Sequence, residues 1–270
     1  MKKLLGFVAI FAILFAGCNK KQEEKFDSAV LIYQDGSLWT ENEDGSMKWS
    51  TTLSNGTGLK VYPDSSKMAA REGKNDETEF VKVRFDNKDY WIQTALIAQN
   101  AVESVVLEDT LVYQNPDIAA VTNISVPALT IVAVSNDEVI AEDPSFKFKK
   151  ISYRTDKTYR SVYVKQNVLS NDKEDVLVLR MLNKLKSTKN ETVKEEVFNN
   201  ALQLNCSPEV KDALRAEYKA AFPDRVLEEE TVAEEVVEVA EENEETEAST
   251  EVDEETSEVE EESEETGDEE

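Results

Sequence analysis

The chain has 270 residues, with 57 Asp and Glu against 30 Lys and Arg, a net charge of −27, and no histidine. Without histidine there is no Ser-His triad, no imidazole general base and none of the commonest transition-metal ligand. A charge of this sign argues against nucleic acid as a partner, and only two cysteines, Cys18 and Cys206, rule out a disulfide-stapled fold.

Residues 1–17 begin with Lys2 and Lys3 and continue as an apolar run from Leu4 to Ala16. The run is shorter than the roughly 20 residues that cross a bilayer, so the expectation is a cleaved export signal. Its ending, Leu14-Phe15-Ala16-Gly17-Cys18, resembles the lipobox of bacterial lipoproteins, although Phe15 stands where the usual pattern has Leu. The resemblance implies that Cys18 is acylated, becomes the first residue of the mature chain, and attaches it to a membrane. Asn19, in place of an inner-membrane retention Asp, favours the outer membrane of a bacterial envelope, facing either the periplasm or the surface. Residues 18–27 form the tether.

From residue 28 to about 100 the sequence reads as a β domain. Asp35-Gly36 follows the run Ala29–Tyr33, and Asp44-Gly45 separates Trp39 from Met47-Lys48-Trp49. Asp-Gly between apolar runs is a hairpin signal, because type I′ turns need positive φ. Phe80–Phe85 alternates strictly, setting Phe80 and Lys82 against Val81, Val83 and Phe85, and Asp86-Asn87-Lys88-Asp89 turns it into Tyr90-Trp91-Ile92. Two echoes follow: Gly58-Leu-Lys-Val-Tyr62 with Asp109-Thr-Leu-Val-Tyr113, and the segment from Tyr90 with that from Val162. They predict a second, divergent copy over 101–170 with strands near Leu111–Tyr113, Leu129–Val134, Lys147–Tyr153 and Val162–Lys165.

Gly58, Leu59, Val61, Tyr62, Val81, Val83, Tyr90, Trp91 and Ile92, and more loosely Leu111, Val112, Tyr113, Tyr163 and Val164, resemble the bacterial SH3-type domain. That resemblance implies tandem five-stranded barrels that bind peptides or cell-wall glycopeptides through aromatic grooves. On it, Trp39, Trp49, Tyr62, Tyr90, Trp91 and Tyr113 are candidate ligand contacts, each with the alternative of filling a barrel core.

Residues 171–224 change to a helical period. Val176, Leu179, Leu182 and Leu185 mark one helix, a capping box at Thr192 and Glu195 opens a second, and Ser207-Pro208 opens a third carrying Val210, Leu214 and Tyr218. Cys206 reads as a packing residue. From Glu228 to Glu270 there are 24 acidic residues and no Lys, Arg or aromatic, leaving a nearly neutral body of 33 acidic and 30 basic residues. Such a segment cannot bury enough apolar surface to order itself, so 225–270 is expected to be a disordered tail.

The predicted fold is thus mainly β with a small helical region: tandem SH3-like barrels, a short helical bundle and the tail. Carboxylate pairs could support glycoside hydrolysis, but nothing singles out a pair among so many acids. The expectation is a non-enzymatic lipoprotein without cofactor or metal, its membrane partner reached through Cys18 and its ligand a peptidoglycan or peptide. The alternatives are a surface protein whose acidic tail captures basic proteins, and a structural spacer.

Overall fold

The computed structural model describes residues 25–155, 158–170 and 172–225; Cys18, most of the tether and the acidic segment from 226 onward lie outside them. The described chain is mainly β, with two antiparallel sheets followed by three helices.

The first sheet contains β1 (Asp27–Leu31), β2 (Asp35–Glu41), β3 (Met47–Ser54), β4 (Gly58–Val61), β5 (Lys67–Ala70), β6 (Glu77–Phe85), β7 (Lys88–Gln93) and β8 (Ile97–Gln99). Their order is β3-β2-β7-β6-β4-β1-β8, with β5 alongside β6. Alternation sends one residue in two inward. Leu31, Leu38, Leu53, Leu59, Val83, Ile92 and Ile97 come from all seven strands of the main path and share one core. A single sheet can contribute every strand to one core only by curling on itself, as strand twist allows. The Asp86-Asn87 turn has φ of 48° and 58°, the left-handed pair expected of a two-residue hairpin.

The Asp35-Gly36 turn does not form; both residues open β2. Gly36 is required there for a different reason, since a Cβ would lie 2.4 Å from Leu31 Cδ1 at the end of the preceding strand, β1.

The second sheet contains β9 (Ala101–Val105), β10 (Thr110–Tyr113), β11 (Val121–Val126), β12 (Ile131–Ser135), β13 (Phe148–Thr155) and β14 (Thr158–Lys165), in the order β11-β10-β14-β13-β12-β9. Leu169, after a 3₁₀ turn at Gln166–Val168, bridges Val106 at the end of β9. The first sheet has the same plan, with a 3₁₀ turn at Thr94–Leu96 before β8. Hence β1 corresponds to β9, the β2–β3 hairpin to β10–β11, β4 to β12 and β6–β7 to β13–β14. This topology corrects one echo: Gly58–Tyr62 lies on β4 and its counterpart is β12, whereas Asp109–Tyr113 lies on β10, the counterpart of β2. The echo starting at Tyr90 and Val162 falls on equivalent strands.

The two β units share an apolar seam of Val30, Ile32, Ala98, Ala101 and Ala133. Gly56, at φ +74°, fits where a Cβ would stand 2.6 Å from Ile131 Cγ2 and 3.1 Å from Val176 Cγ1. The helices are α1 (Lys173–Ser187), α2 (Glu191–Leu202) and α3 (Pro208–Ala221). Asp172 caps α1, its carboxylate accepting from Glu174 N–H at 2.8 Å. The cap of α2 is Asn190, accepting from Val193 N–H at 3.3 Å, and not the Thr192–Glu195 box, which falls inside the helix. Asp175, with no exposed surface, accepts hydrogen bonds from the Ser170 hydroxyl and from Ser207 N–H at 2.7 Å, so one carboxylate joins the end of the second sheet to the start of α3.

Candidate functional site

The aromatic residues gather on the outer face of the first sheet because of register. Trp39 on β2 stands opposite Trp49 on β3 and, on its other side, opposite Trp91 on β7; Trp91 in turn faces Lys82 on β6. A β-bulge that leaves Ser50 of β3 unopposed sets Trp49 against Trp39, while alternation along β2 keeps Leu38 in the inner core and turns Trp39 out. Cross-strand neighbours on one face lie about 4.5–5.5 Å apart at Cβ, so the three indoles form a continuous row.

Beneath the row lies a second, smaller core. Strand β5 folds along the edge of β6, and Met47 bridges Arg71 just beyond it, so that Met47, Ala69 and Phe80 are enclosed under half-buried Trp39 and Trp91. Trp39 meets Phe80 edge to face at 6.1 Å and 77°. Lys67 Nζ lies 4.4 Å from the Trp91 ring centroid and pairs with Glu41 at 2.6 Å. Trp49, in contrast, is 57% exposed. The Trp39 indole N–H is buried and has no hydrogen-bond partner among the described residues.

The row runs into a charged patch. Asp89 accepts from the Tyr62 hydroxyl at 2.7 Å and from Arg84 Nε at 2.9 Å, and pairs with Lys82 Nζ at 3.0 Å. Burial pushes its carboxyl upward, but the bonds from Arg84, Tyr62 and Lys82 outweigh that and hold it far below the usual carboxylate range. Tyr62 also packs edge to face on Phe26 at 4.9 Å, with the Arg84 guanidinium over both rings.

Trp39, Trp49, Trp91 and Tyr62 therefore share one outer face. Tyr90 sits on the opposite face of β7, packed on the inner core. Tyr113 belongs to the second sheet, where it is buried edge to face on Phe148 at 5.0 Å and 72°. There it stands opposite Tyr163, which faces Lys150. The second sheet thus repeats the outer arrangement of the first: Tyr113, Tyr163, Lys150 and Phe148 hold the places of Trp39, Trp91, Lys82 and Phe80. Sequence reasoning missed Phe80, Phe148 and Tyr163 as partners; the shared Phe-x-Lys at 80–82 and 148–150 was the available signal.

This face offers flat rings, one largely open to solvent, beside fixed charges, an arrangement suited to holding an extended chain. Among the described residues no group of three or more His, Cys, Asp or Glu is placed to hold a metal, and no helix is long and apolar enough to cross a membrane. Cys206 is half-buried; burial, with Asp175 nearby, pushes its thiol up and keeps it protonated.

No protein-family model matches the chain, and no curated protein matches it. Solved structures that share some similarity include two NlpC proteins. NlpC2 from Trichomonas vaginalis has a TM-score of 0.22 and 16% identity over 61% of this chain and 56% of its own. NlpC1 from the same organism has a TM-score of 0.22 and 14% identity over 62% and 54%. The chain spans little more than half the length of either.

Proposed function

We propose that this protein is a lipid-anchored lipoprotein of a bacterial envelope whose first β unit is a non-enzymatic binding module for an extended cell-wall or peptide ligand. The observation that carries the binding reading is the cross-strand row Trp49–Trp39–Trp91, in which Trp49 exposes 57% of its surface while its neighbours are fixed by a core of their own. Rigid rings held this way bind with little loss of rotamer entropy, and an exposed indole offers a flat apolar contact beside a polar N–H. We read the two β units as SH3-like barrels. The support is the repeated order of strand, hairpin, strand, hairpin, 3₁₀ turn and closing residue, together with the residues that resemble that family. The anchor rests on the sequence alone, on Leu14–Cys18 and the apolar run before it.

The test is retention on isolated peptidoglycan sacculi. Wild type is expected to sediment with them, and Trp49→Ala to remain in the supernatant while keeping its far-ultraviolet circular dichroism. Equal retention of the two proteins removes the aromatic row from the binding reading.

A further inference from the structure

The tryptophan row continues past Trp91. Lys82 stands opposite Trp91, and on the other side of β6 the Tyr62 N–H donates to the Lys82 carbonyl at 3.0 Å, one residue beyond the pairing of Val61 with Val83. Tyr62, Lys82, Trp91, Trp39 and Trp49 therefore cross the first sheet in one line on its outer face. With strands about 4.8 Å apart the line is ~19 Å long, the span of about six residues of extended chain.

A second line lies beside its Tyr62 end. Lys60 on β4 stands opposite Arg84 on β6, and Arg84 stands opposite Asp89 on β7. With Lys82 this sets three cations around one carboxylate. Asp89 takes Arg84 Nε at 2.9 Å and Lys82 Nζ at 3.0 Å. Lys60 is left exposed, with its Nζ 5.8 Å from the Phe26 ring centroid and no carboxylate within ion-pair distance among the described residues. Arg84 is fixed in place: it donates to Asp89 and to the Tyr62 hydroxyl, and its guanidinium lies 4.9 Å from the Phe26 centroid and 5.2 Å from that of Tyr62.

The second unit is built without this cluster. Phe148 and Lys150 hold the places of Phe80 and Lys82, so the register puts Ala133, Ser152 and Ser161 where Lys60, Arg84 and Asp89 stand. The strand plan does not require the charges. They belong to the unit that also opens a tryptophan to solvent, and to the same face of it.

We infer that the extended ligand of the first unit is an acidic peptide, lying along the row with its carboxylates against Lys60 and the surplus positive charge of Lys82 and Arg84. The inference rests on the reading of the tryptophan row as a binding face, and adds the charge and the direction of the chain held there. A carboxylate at this end meets donors already fixed by their neighbours, and charge-assisted hydrogen bonds are stronger than neutral ones. A cationic group at the same end is disfavoured by like charge.

The experiment is fluorescence anisotropy of the full chain with labelled six-residue peptides, in about 0.15 M salt, where charges more than about 8 Å apart are screened. One peptide carries four Ala followed by two Glu; in the second the two Glu are Gln, and in the third they are Lys. The Glu peptide should bind about tenfold or more tightly than the Gln peptide, which is ~1.4 kcal/mol or greater, and the Lys peptide more weakly than either. Lys60→Gln should narrow the preference for Glu over Gln to about threefold or less while leaving the Gln peptide unaffected. Trp49→Ala should weaken the Glu and Gln peptides alike. Equal binding of the Glu and Gln peptides, a preference unmoved by Lys60→Gln in a folded protein, or absence of binding by the Glu peptide would each overturn the inference and leave the row itself to the sacculus test. Affinities unmoved by Trp49→Ala would remove the row, and the inference with it.

Discussion

Gly56→Ala tests the junction where the two β units and α1 meet. Two costs add at this position. Gly56 has φ +74°, a left-handed conformation that costs a residue bearing a Cβ about 1–2 kcal/mol. The new methyl would also lie 2.6 Å from Ile131 Cγ2 and 3.1 Å from Val176 Cγ1, both on elements buried in place, and overpacking of this kind costs about 1–3 kcal/mol. The sum is about 2–5 kcal/mol. Gly45→Ala isolates the first cost, because Gly45 has φ +82° with nothing within 4 Å of the added Cβ. The assay is urea unfolding followed by tryptophan fluorescence, since Trp39, Trp49 and Trp91 all lie in the first β unit. Gly56→Ala should lower the midpoint well beyond Gly45→Ala at an unchanged slope. If the two variants unfold together, the packing of Gly56 against Ile131 and Val176 does not exist in solution.

Asp175→Ala removes a buried carboxylate that accepts from Ser170 and Ser207, at about 1.5–3 kcal/mol for each bond to a charged group; the helical signal at 222 nm should melt at lower urea while tryptophan fluorescence moves less. Phe80→Ala, at a position without exposed surface, should cost about 3–5 kcal/mol by thermal unfolding, and Trp49→Ala, 57% exposed, no more than about 1 kcal/mol. The carboxyl of Asp89 is held below its unfolded value, so the stability it contributes is present above the ordinary range near ~4 and is lost as pH falls further. Asp89→Asn should therefore flatten the acid limb of stability below about pH 4, by a small amount because the side chain is a third exposed. Cys18→Ala should abolish incorporation of labelled palmitate, and persistence of the label would remove the anchor.

The strands that could be read directly were those whose alternation is local. Phe80–Phe85 declares its two faces within six residues, and the Asp86-Asn87 turn follows at once. The echo of Gly58–Tyr62 with Asp109–Tyr113 misled because a short apolar strand ending in tyrosine is a generic object; its place in a sheet depends on what pairs with it, not on its own residues. Asp35-Gly36 misled in another way. The glycine is required by the close approach of Leu31, a contact between strands that carries no turn signal. At α2, two residues competed for the cap, and Asn190 took it because the helix begins two residues earlier than the Thr192–Glu195 pattern implies. The aromatic row was visible as a composition and invisible as a row. Trp39 and Trp91 are 52 positions apart, and the alignment of Trp39 with Trp49 depends on the bulge beside Leu38.

What the two units share locates the constraint. The inner cores of the two units use different residues, with Leu31, Leu38, Leu59 and Ile92 in one and valines, Ile151 and Tyr153 in the other, as expected when only volume and polarity must be kept. The outer arrangement is kept more closely: an aromatic on the second strand, an aromatic opposite it, a lysine opposite that, and a phenylalanine stacked edge to face on the first. Edge-to-face rings and a lysine crossing an aromatic strand restrict geometry more than aliphatic packing does, so this set is harder to replace one residue at a time. The units diverge just where this set meets solvent. Trp49 gives way to Val121 opposite the first aromatic, and the covering strand β5 has no counterpart. One unit adds β5 along β6 and opens a tryptophan to solvent; the other buries its tyrosine and has a turn at 143–146 before β13. Two units of one strand order thus present different outer surfaces.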